Sequence, residues 1–580
     1  MMLIFLLPAV AAPPRSAHLV DVGHGLVVAR TSPEFLSFNI DAFELVAPRS
    51  NSSTPFAWGS TKLASRARHL LPAKLRVGGG NQGDVQYDAH FLAETWPAIL
   101  DLARSSGMAL VWGSAPSVSA AEVLAAQPRS SEVVEWEFGN EPAPSKCCAE
   151  SATADPCGCR TQGCCTNATV LGRQFVAFAA MLNRTIQRRN ISSAPPTVVG
   201  PDIGYGGWWP TPAVGSWGGN WLGEFLRAGA ADVLSAATIH VYPFDHEDVG
   251  GERVYPLSVG GDPACNTSSY QWCNASRILW PSEMPNAHRV QAFTEPFAAI
   301  MQRLAPRAAT SLRIGETAAV DLGGVSGVTD SFGHGFWATY QYGMLAQAGY
   351  VVVHRQVLAC TSLPLPTSRC AYGVLSNSPA FEALPDFWWS VLYKRLMGAT
   401  VLAINVTSSS EERSGSDEGP MDRLSGIVRV YAHCTFSQTS NRSDGGGGSN
   451  GSNGSVTIMW ANPQPHPVSL TFSNTGSLGG AREEYHLTAA PAAPAGVKRN
   501  VAATLASTRV KLNGRLLQLL PLDELPPLQG LPVMPASPHS KESIGSMSSM
   551  ELAGLSYGFT VFTDAGVAAC SSSDSRSWGQ

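Results

Sequence analysis

The chain has 580 residues, of which 44% are hydrophobic and 14% charged, with a formal net charge of −5. This length excludes a single ordinary domain, and the apolar share excludes a disordered chain. The mild acidic balance provides no electrostatic footprint for nucleic acid or an anionic membrane as partner.

The first residues, MMLIFLLPAVAAP, form an apolar run too short to cross a bilayer and end in small residues. They read as a secretory leader over residues 1–12. Asn-x-Ser/Thr acceptors at Asn51, Asn167, Asn183, Asn190, Asn266, Asn274, Asn405, Asn441, Asn450 and Asn453 suit a glycosylated protein of a secreted or lysosome-like compartment. HLVDVGHGLVVAR is strand-like and can pair into a later sheet.

From about residue 35 to 395, apolar runs alternate with helix-like stretches. FLSFNID, AKLRVGG, ALVWGSA, VVEWEFGN, PTVVGPD, AATIHVY, SLRIGE and YVVVHRQV predict strands; GRQFVAFAAMLNRTIQRRN and FTEPFAAIMQRLAPRA predict amphipathic helices. About eight such alternations are the pattern of an α/β protein with a closed (β/α)₈ TIM barrel, here over residues 33–398. An open doubly wound sheet reads similarly, but no G-x-G-x-x-G fingerprint opens a helix after the first strand, and there is no Walker A loop. Beyond Gly398, GIVRVYAHCTF, SVTIMWANP, VSLTFSN, TRVKLNG and YGFTVFTD predict a C-terminal β-sandwich over 399–580, joined by 18–32. Two polar stretches, SSSEERSGSDEGP and SQTSNRSDGGGGSNGSNGS, read as hairpin loops. No later segment has the ~20 apolar residues a membrane span needs.

The 12 cysteines suit disulfides in a secreted chain better than a metal site. Six crowd into residues 147–165 as a small knot; Cys265 with Cys273 and Cys360 with Cys370 can close short loops, and Cys434 with Cys570 would tie distant parts of the C-terminal region.

Catalytic groups of such a barrel sit where strands end at its C-terminal face. Glu141 ends EWEFGNE and Glu316 ends SLRIGE, each after a strand-like run and a glycine. Two opposed carboxylates are the minimum equipment for glycoside hydrolysis: one protonates the leaving oxygen, the other attacks the anomeric carbon or activates water. Asn140 can hold a sugar hydroxyl beside them. His240 and Tyr242 of ATIHVYPF, and Arg355 and Gln356 of VVVHRQVL, end strands at the same rim.

WEFGNEP, then LRIGETAAVDLGG, resemble the acid/base and nucleophile segments of heparanase and the β-glucuronidases of glycoside hydrolase family 79. FLSFNIDAF, KLRVGGGNQGDVQYD, VVGPDIG, ATIHVYPF, VVVHRQVL, LPDFWWSVLYKRLMG, VKLNG, LDELPPL and LSYGFTVFTDAGVAAC match that family in order, from about residue 18 to 570. The resemblance implies a retaining mechanism on a β-linked uronic acid; the two-acid mechanism needs no metal or organic cofactor, and a monomer with a carbohydrate substrate as partner is expected. It implies Glu141 as acid/base, Glu316 as nucleophile, Asn140 near the 2-hydroxyl and Asp41 on distal hydroxyls. Tyr242 and His240 would flank the nucleophile, and Tyr372 with the Gly323–Gly324 backbone would meet the substrate carboxylate. Gly80, Phe43, and Asp321 with Leu322 depart from the animal heparanase pattern. Asp321 would repel an anionic ring, which keeps open a neutral sugar as substrate, and a catalytically silent glycan-binding protein is the reading from outside the enzymes. RTIQRRN reads as a solvated helix face, and the absence of a long excisable insert predicts a single uncleaved chain.

Overall fold

A computed structural model describes residues 17–22, 25–46, 55–142, 167–188, 196–204, 217–243, 285–321, 323–361, 371–408, 428–436, 454–472, 478, 481–490, 501–534 and 548–571. The leader, the 147–165 cysteine cluster, Cys265, Cys273, Cys370, Leu322, the two polar hairpin stretches and most glycosylation acceptors lie outside these residues.

Two strands precede the barrel, β1 (Ala17–Asp21) and β2 (Val27–Arg30). The next eight are β3 (Leu36–Asp41), β4 (Lys74–Gly78), β5 (Ala109–Ser114), β6 (Val133–Phe138), β7 (Thr197–Ile203), β8 (Ala236–Val241), β9 (Leu312–Thr317) and β10 (Val352–Arg355). They pair in parallel in chain order, and β10 returns to β3 with Val353 opposite Leu36, so the sheet closes. All eight strands expected from the apolar runs are the barrel strands.

The strands alternate, as a pleat requires, but their inward face is charged. Leu75, Val77, Trp136 and Phe138 join the main hydrophobic core. The residues between them, Lys74, Arg76, Glu135 and Glu137, are buried inside the barrel and pair across it. In the lower layer Glu135 accepts from Lys74 Nζ and from Arg313 of β9, each at 2.5 Å. Opposite charges from different strands thus fill the interior where aliphatic layers are usual.

Two sheets follow the barrel. The strands are β11 (Met397–Leu402), β12 (Asn405–Ser408), β13 (Arg429–Thr435), β14 (Val456–Asn462), β15 (Val468–Phe472) and β16 (Arg482–Ala489). Then come β17 (Val510–Leu512), β18 (Arg515–Leu516), β19 (Leu531–Val533), β20 (Ser548–Leu552) and β21 (Ser556–Phe562). A nine-stranded sheet runs β18-β17-β16-β21-β14-β13-β11-β2, with β19 on β16, and a four-stranded sheet runs β12-β1-β15-β20. The N-terminal strands therefore join the C-terminal sheets, one in each. Val20, Leu470 and Met550 of the smaller sheet share a core with Ile458, Trp460 and Phe562 of the larger one. The larger sheet's other face packs on the barrel: Tyr557 stacks on Phe332 with ring centroids 4.6 Å apart, and Tyr431 Oη donates to Tyr340 O at 3.1 Å. Sequence reading missed β16, because Glu483 and Glu484 hide an alternation that surfaces only at Tyr485, Leu487 and Ala489.

Cys434 and Cys570 form a disulfide. Cys360 is also disulfide-bonded. Among the described residues no helix is long and apolar enough to cross a membrane.

Candidate active site

Both acids leave their strands through special backbone. After β6, Gly139 (φ 81) and Glu141 (φ 44) lie in the left-handed region, and Glu141 N–H donates to Asp202 O at 3.0 Å. A strand cannot continue through such angles, so Glu141 turns over the barrel mouth, its side chain 42% exposed. On β9 the ladder shifts register between Ile314 and Glu316 against β8, and again against β10. This irregularity turns Glu316 inward, where a regular strand would turn it out. Gly315 makes it possible: a Cβ there would lie 2.4 Å from Asp202 Oδ1.

The two acids meet. One carboxylate oxygen from each, with a ring nitrogen of His240, lie within 4.8 Å of one another. Glu316 is buried and held at both oxygens: Arg76 NH1 donates to Oε1 at 2.7 Å and Tyr242 Oη to Oε2 at 2.8 Å. Burial alone would raise its pKa; the charges of His240 and Arg76, with these hydrogen bonds, outweigh burial and hold it below the ordinary carboxylate range. His240 is fully buried, with Nδ1 3.0 Å from Glu141 Oε1. Burial would lower its pKa, yet Glu316, Asp202 and Glu141 raise it to about 10.

Asn140 Oδ1 accepts from Arg76 NH2 at 3.1 Å, which fixes the amide beside Glu141. Asp41 ends β3 and accepts from Phe43 N–H and from Gln356 Nε2, each at 2.7 Å. Burial and the nearby Glu316 push Asp41 up to about 7. Tyr372 is buried in one small cluster with Tyr242 and Val357. Its loop is tied to Gly323, whose carbonyl accepts Ala371 N–H at 2.8 Å, and Gly324 N–H is already donated to Asp321 O at 2.9 Å. Asp321 itself is buried. The expected rim therefore assembles with one correction. Arg355 does not face the mouth: strand alternation turns it outward, onto Asp386 Oδ2 at 3.0 Å and over the Trp337 ring. Its neighbour Gln356 is the one that points in.

Three residues escaped sequence reading. Arg76 is fully buried at the centre, with Nε on Glu137 at 2.5 Å besides its bonds to Glu316 and Asn140. Burial, with Asp202 adding to it against the pull of Arg76, pushes Glu137 up to about 8. Asp202 lies behind His240 at 3.3 Å. A cation inside AKLRVGG and an acid inside PTVVGPD, both otherwise apolar strands, were the available signals.

By distance Glu141, His240 and Glu316 could converge on a metal ion. The chemistry opposes it, because an imidazole protonated to about pH 10 has no lone pair to give and Arg76 already compensates Glu316.

No family profile matches the chain. It is 25% identical to heparanase of Bos taurus over 610 residues, covering 93% of this chain and 90% of that one. It is 24% identical to hyaluronoglucuronidase of Hirudo nipponia over 439 residues, covering 75% and 65%. Its fold is similar to that of the GH51 arabinofuranosidase from Xanthomonas axonopodis pv. citri, with TM-score 0.57, 13% identity, and coverage of 94% and 99%. A closed barrel presenting two carboxylates at one mouth, with relatives of this kind along nearly the whole chain, defines the class: the protein is a glycoside hydrolase. Within that class it is heparanase-like.

Proposed function

We propose that the protein is a retaining β-glycosidase that releases β-linked glucuronic acid from glycans or glycoconjugates by double displacement. The observation that carries this reading is the approach of Glu141 and Glu316 to within 4.8 Å. Carboxyl groups about 5–5.5 Å apart suit a nucleophile and an acid/base, whereas inversion needs about 6.5–9.5 Å to admit a water.

Their surroundings divide the labour. Glu316, kept ionised by Arg76 and His240, attacks the anomeric carbon. Glu141, on the open side of the mouth, protonates the leaving oxygen and afterwards takes a proton from water. Its Oε1 faces His240, so the transferable proton sits on the other oxygen. Asn140 holds the 2-hydroxyl and Asp41 a distal one. Tyr372 and the Gly323 backbone would meet a uronate carboxylate, whereas the Gly324 N–H is donated to Asp321 O. The name of the Hirudo nipponia relative, hyaluronoglucuronidase, supports the uronic acid. The leader-like start carries the same reading to a secreted or lysosome-like compartment.

Asp321, on the loop beside Gly323, favours a second reading, a neutral β-linked sugar, by its repulsion of an anionic ring. Chromogenic β-glucuronide, β-glucoside and β-xyloside, tested on wild type and Glu316→Gln, separate the two. Turnover of the glucuronide alone, abolished in the variant and releasing the β-anomer first by NMR, is expected. Preference for glucoside or xyloside selects the neutral sugar; α-anomer first refutes retention; glycan binding without any turnover leaves a silent homologue.

A further inference from the structure

The two carboxylates share one imidazole, and that imidazole is supported from behind. His240 Nδ1 lies 3.0 Å from Glu141 Oε1 and 3.7 Å from Glu316 Oε2, while Nε2 lies 3.3 Å from Asp202 Oδ1. Asp202 comes from β7, where the ladder to β8 shifts between Pro201 and Ile203 and the backbone adopts φ 54. Residues with a Cβ rarely adopt such a conformation, so surrounding structure must enforce it. The same residue accepts the Glu141 N–H through its carbonyl, so it holds the acid/base backbone while its carboxylate faces the ring at 3.3 Å. At Gly315 a Cβ would lie 2.4 Å from Asp202 Oδ1 and 2.9 Å from His240 Nε2, so a bare backbone is needed for the pair to form.

On the double-displacement reading above, a negative charge crosses this ring twice per turnover. First a Glu316 oxygen bonds to the anomeric carbon, the bond to the leaving oxygen breaks, and the proton of Glu141 moves to that oxygen. Glu316 is now a neutral ester and Glu141 a carboxylate. Then water bonds to the anomeric carbon, its proton goes to Glu141, and Glu316 departs as a carboxylate.

We infer that His240 is a fixed cation that serves Glu316 and Glu141 in turn, and that Asp202 is the positioning residue that keeps both ring nitrogens protonated and Nδ1–H aimed between the two acids. Glu141 from beyond β6, Asp202 from β7 and Glu316 from β9 face the ring; Arg76 of β4 and Glu137 of β6 stand behind them. Throughout the cycle the ring faces Asp202 and one of the two glutamates as carboxylates. The raised pKa of His240, due to these same acids against burial, agrees with that count. Without the Asp202 charge, only one carboxylate remains to hold the proton.

Asp202→Asn removes the charge and keeps the shape. With a dinitrophenyl glycoside of the sugar that wild type turns over, kcat should fall about 10–100-fold, the scale for losing a supporting partner. KM should fall with it as the glycosyl-enzyme accumulates, a pre-steady-state burst should appear, and the alkaline limb of kcat should move to lower pH. A pH profile superimposable on wild type, with kcat and kcat/KM changed equally or not at all, overturns the inference. A wild-type measurement stands beside the variant: ¹⁵N NMR of histidine-labelled enzyme at pH 7, free and trapped with a 2-deoxy-2-fluoro glycoside. Both nitrogens of His240 should be protonated in both states, and a neutral ring in either overturns the role. Active wild type with either negative result refutes this inference alone; wild type that turns over no glycoside refutes the hydrolase reading beneath it.

Discussion

Replacing Arg76 by glutamine should damage stability and nucleophile together, in a pH-dependent way. The guanidinium is fully buried and bonds Glu137 at 2.5 Å, Glu316 at 2.7 Å and Asn140 at 3.1 Å. Breaking a buried ion pair from one side costs about 3–5 kcal/mol, because the remaining charge is left uncompensated. Glu137, already pushed to about 8 by burial, escapes that cost at neutral pH by holding a proton. The cost therefore falls on Glu316. Its folded pKa is depressed, so its ionised form stabilises the fold above the ordinary carboxylate range, and that contribution is lost as pH falls through the folded value. Without Arg76, burial opposes only His240 and Tyr242, and the Glu316 pKa rises, each unit being worth about 1.4 kcal/mol. Urea unfolding should show a loss of about 3–5 kcal/mol at pH 7 that shrinks toward pH 4, and the acid limb of kcat/KM should move to higher pH. An equal loss at both pH values with an unmoved acid limb would refute this account of how Glu316 stays ionised.

Glu141→Gln should slow substrates with poor leaving groups by about 10²–10⁴-fold, the usual worth of general acid catalysis, and dinitrophenyl glycosides far less, as steady-state kinetics on the two series will show. Arg355→Met should leave KM unchanged while lowering stability by about 3–5 kcal/mol in urea, because it takes the guanidinium from buried Asp386 and meets the mouth residue Gln356 through that residue's backbone carbonyl rather than its side chain. Replacing Cys434 and Cys570 by alanine opens a link across 136 residues, and chain entropy sets the expected loss at about 5 kcal/mol, measurable by urea unfolding with activity retained in the folded fraction. Gly315→Ala should abolish turnover in a folded protein, checked by circular dichroism, since the added methyl displaces Asp202 and His240.

The local pieces of the site were readable one at a time. A strand followed by glycine and an acid marks a place where backbone stops and a side chain is presented, and both Glu141 and Glu316 were found that way. The ordered motifs also led to Asp41, Asn140, His240, Tyr242, Gln356 and Tyr372. Orientation failed at Arg355, because a strand end of Arg then Gln sends one side chain out and the other in, and either assignment suits the letters. β16 failed for a related reason, its acidic start masking an apolar face that only the packed barrel helices make visible.

By itself the order of residues determined the number of barrel strands, the two acids and the trailing β-structure, because period-two patterning and glycine exits act over a few neighbouring residues. Tertiary structure alone decided which face of each strand lies inside. In LRV and EWEF the bulky residues face the helices and the charged ones the interior, a choice that is affordable only because closure brings Arg76 to Glu137 and Glu316, and His240 to Asp202, from strands far apart along the chain. A buried charge is tolerable only beside its partner, and the partner's position is a property of the closed barrel.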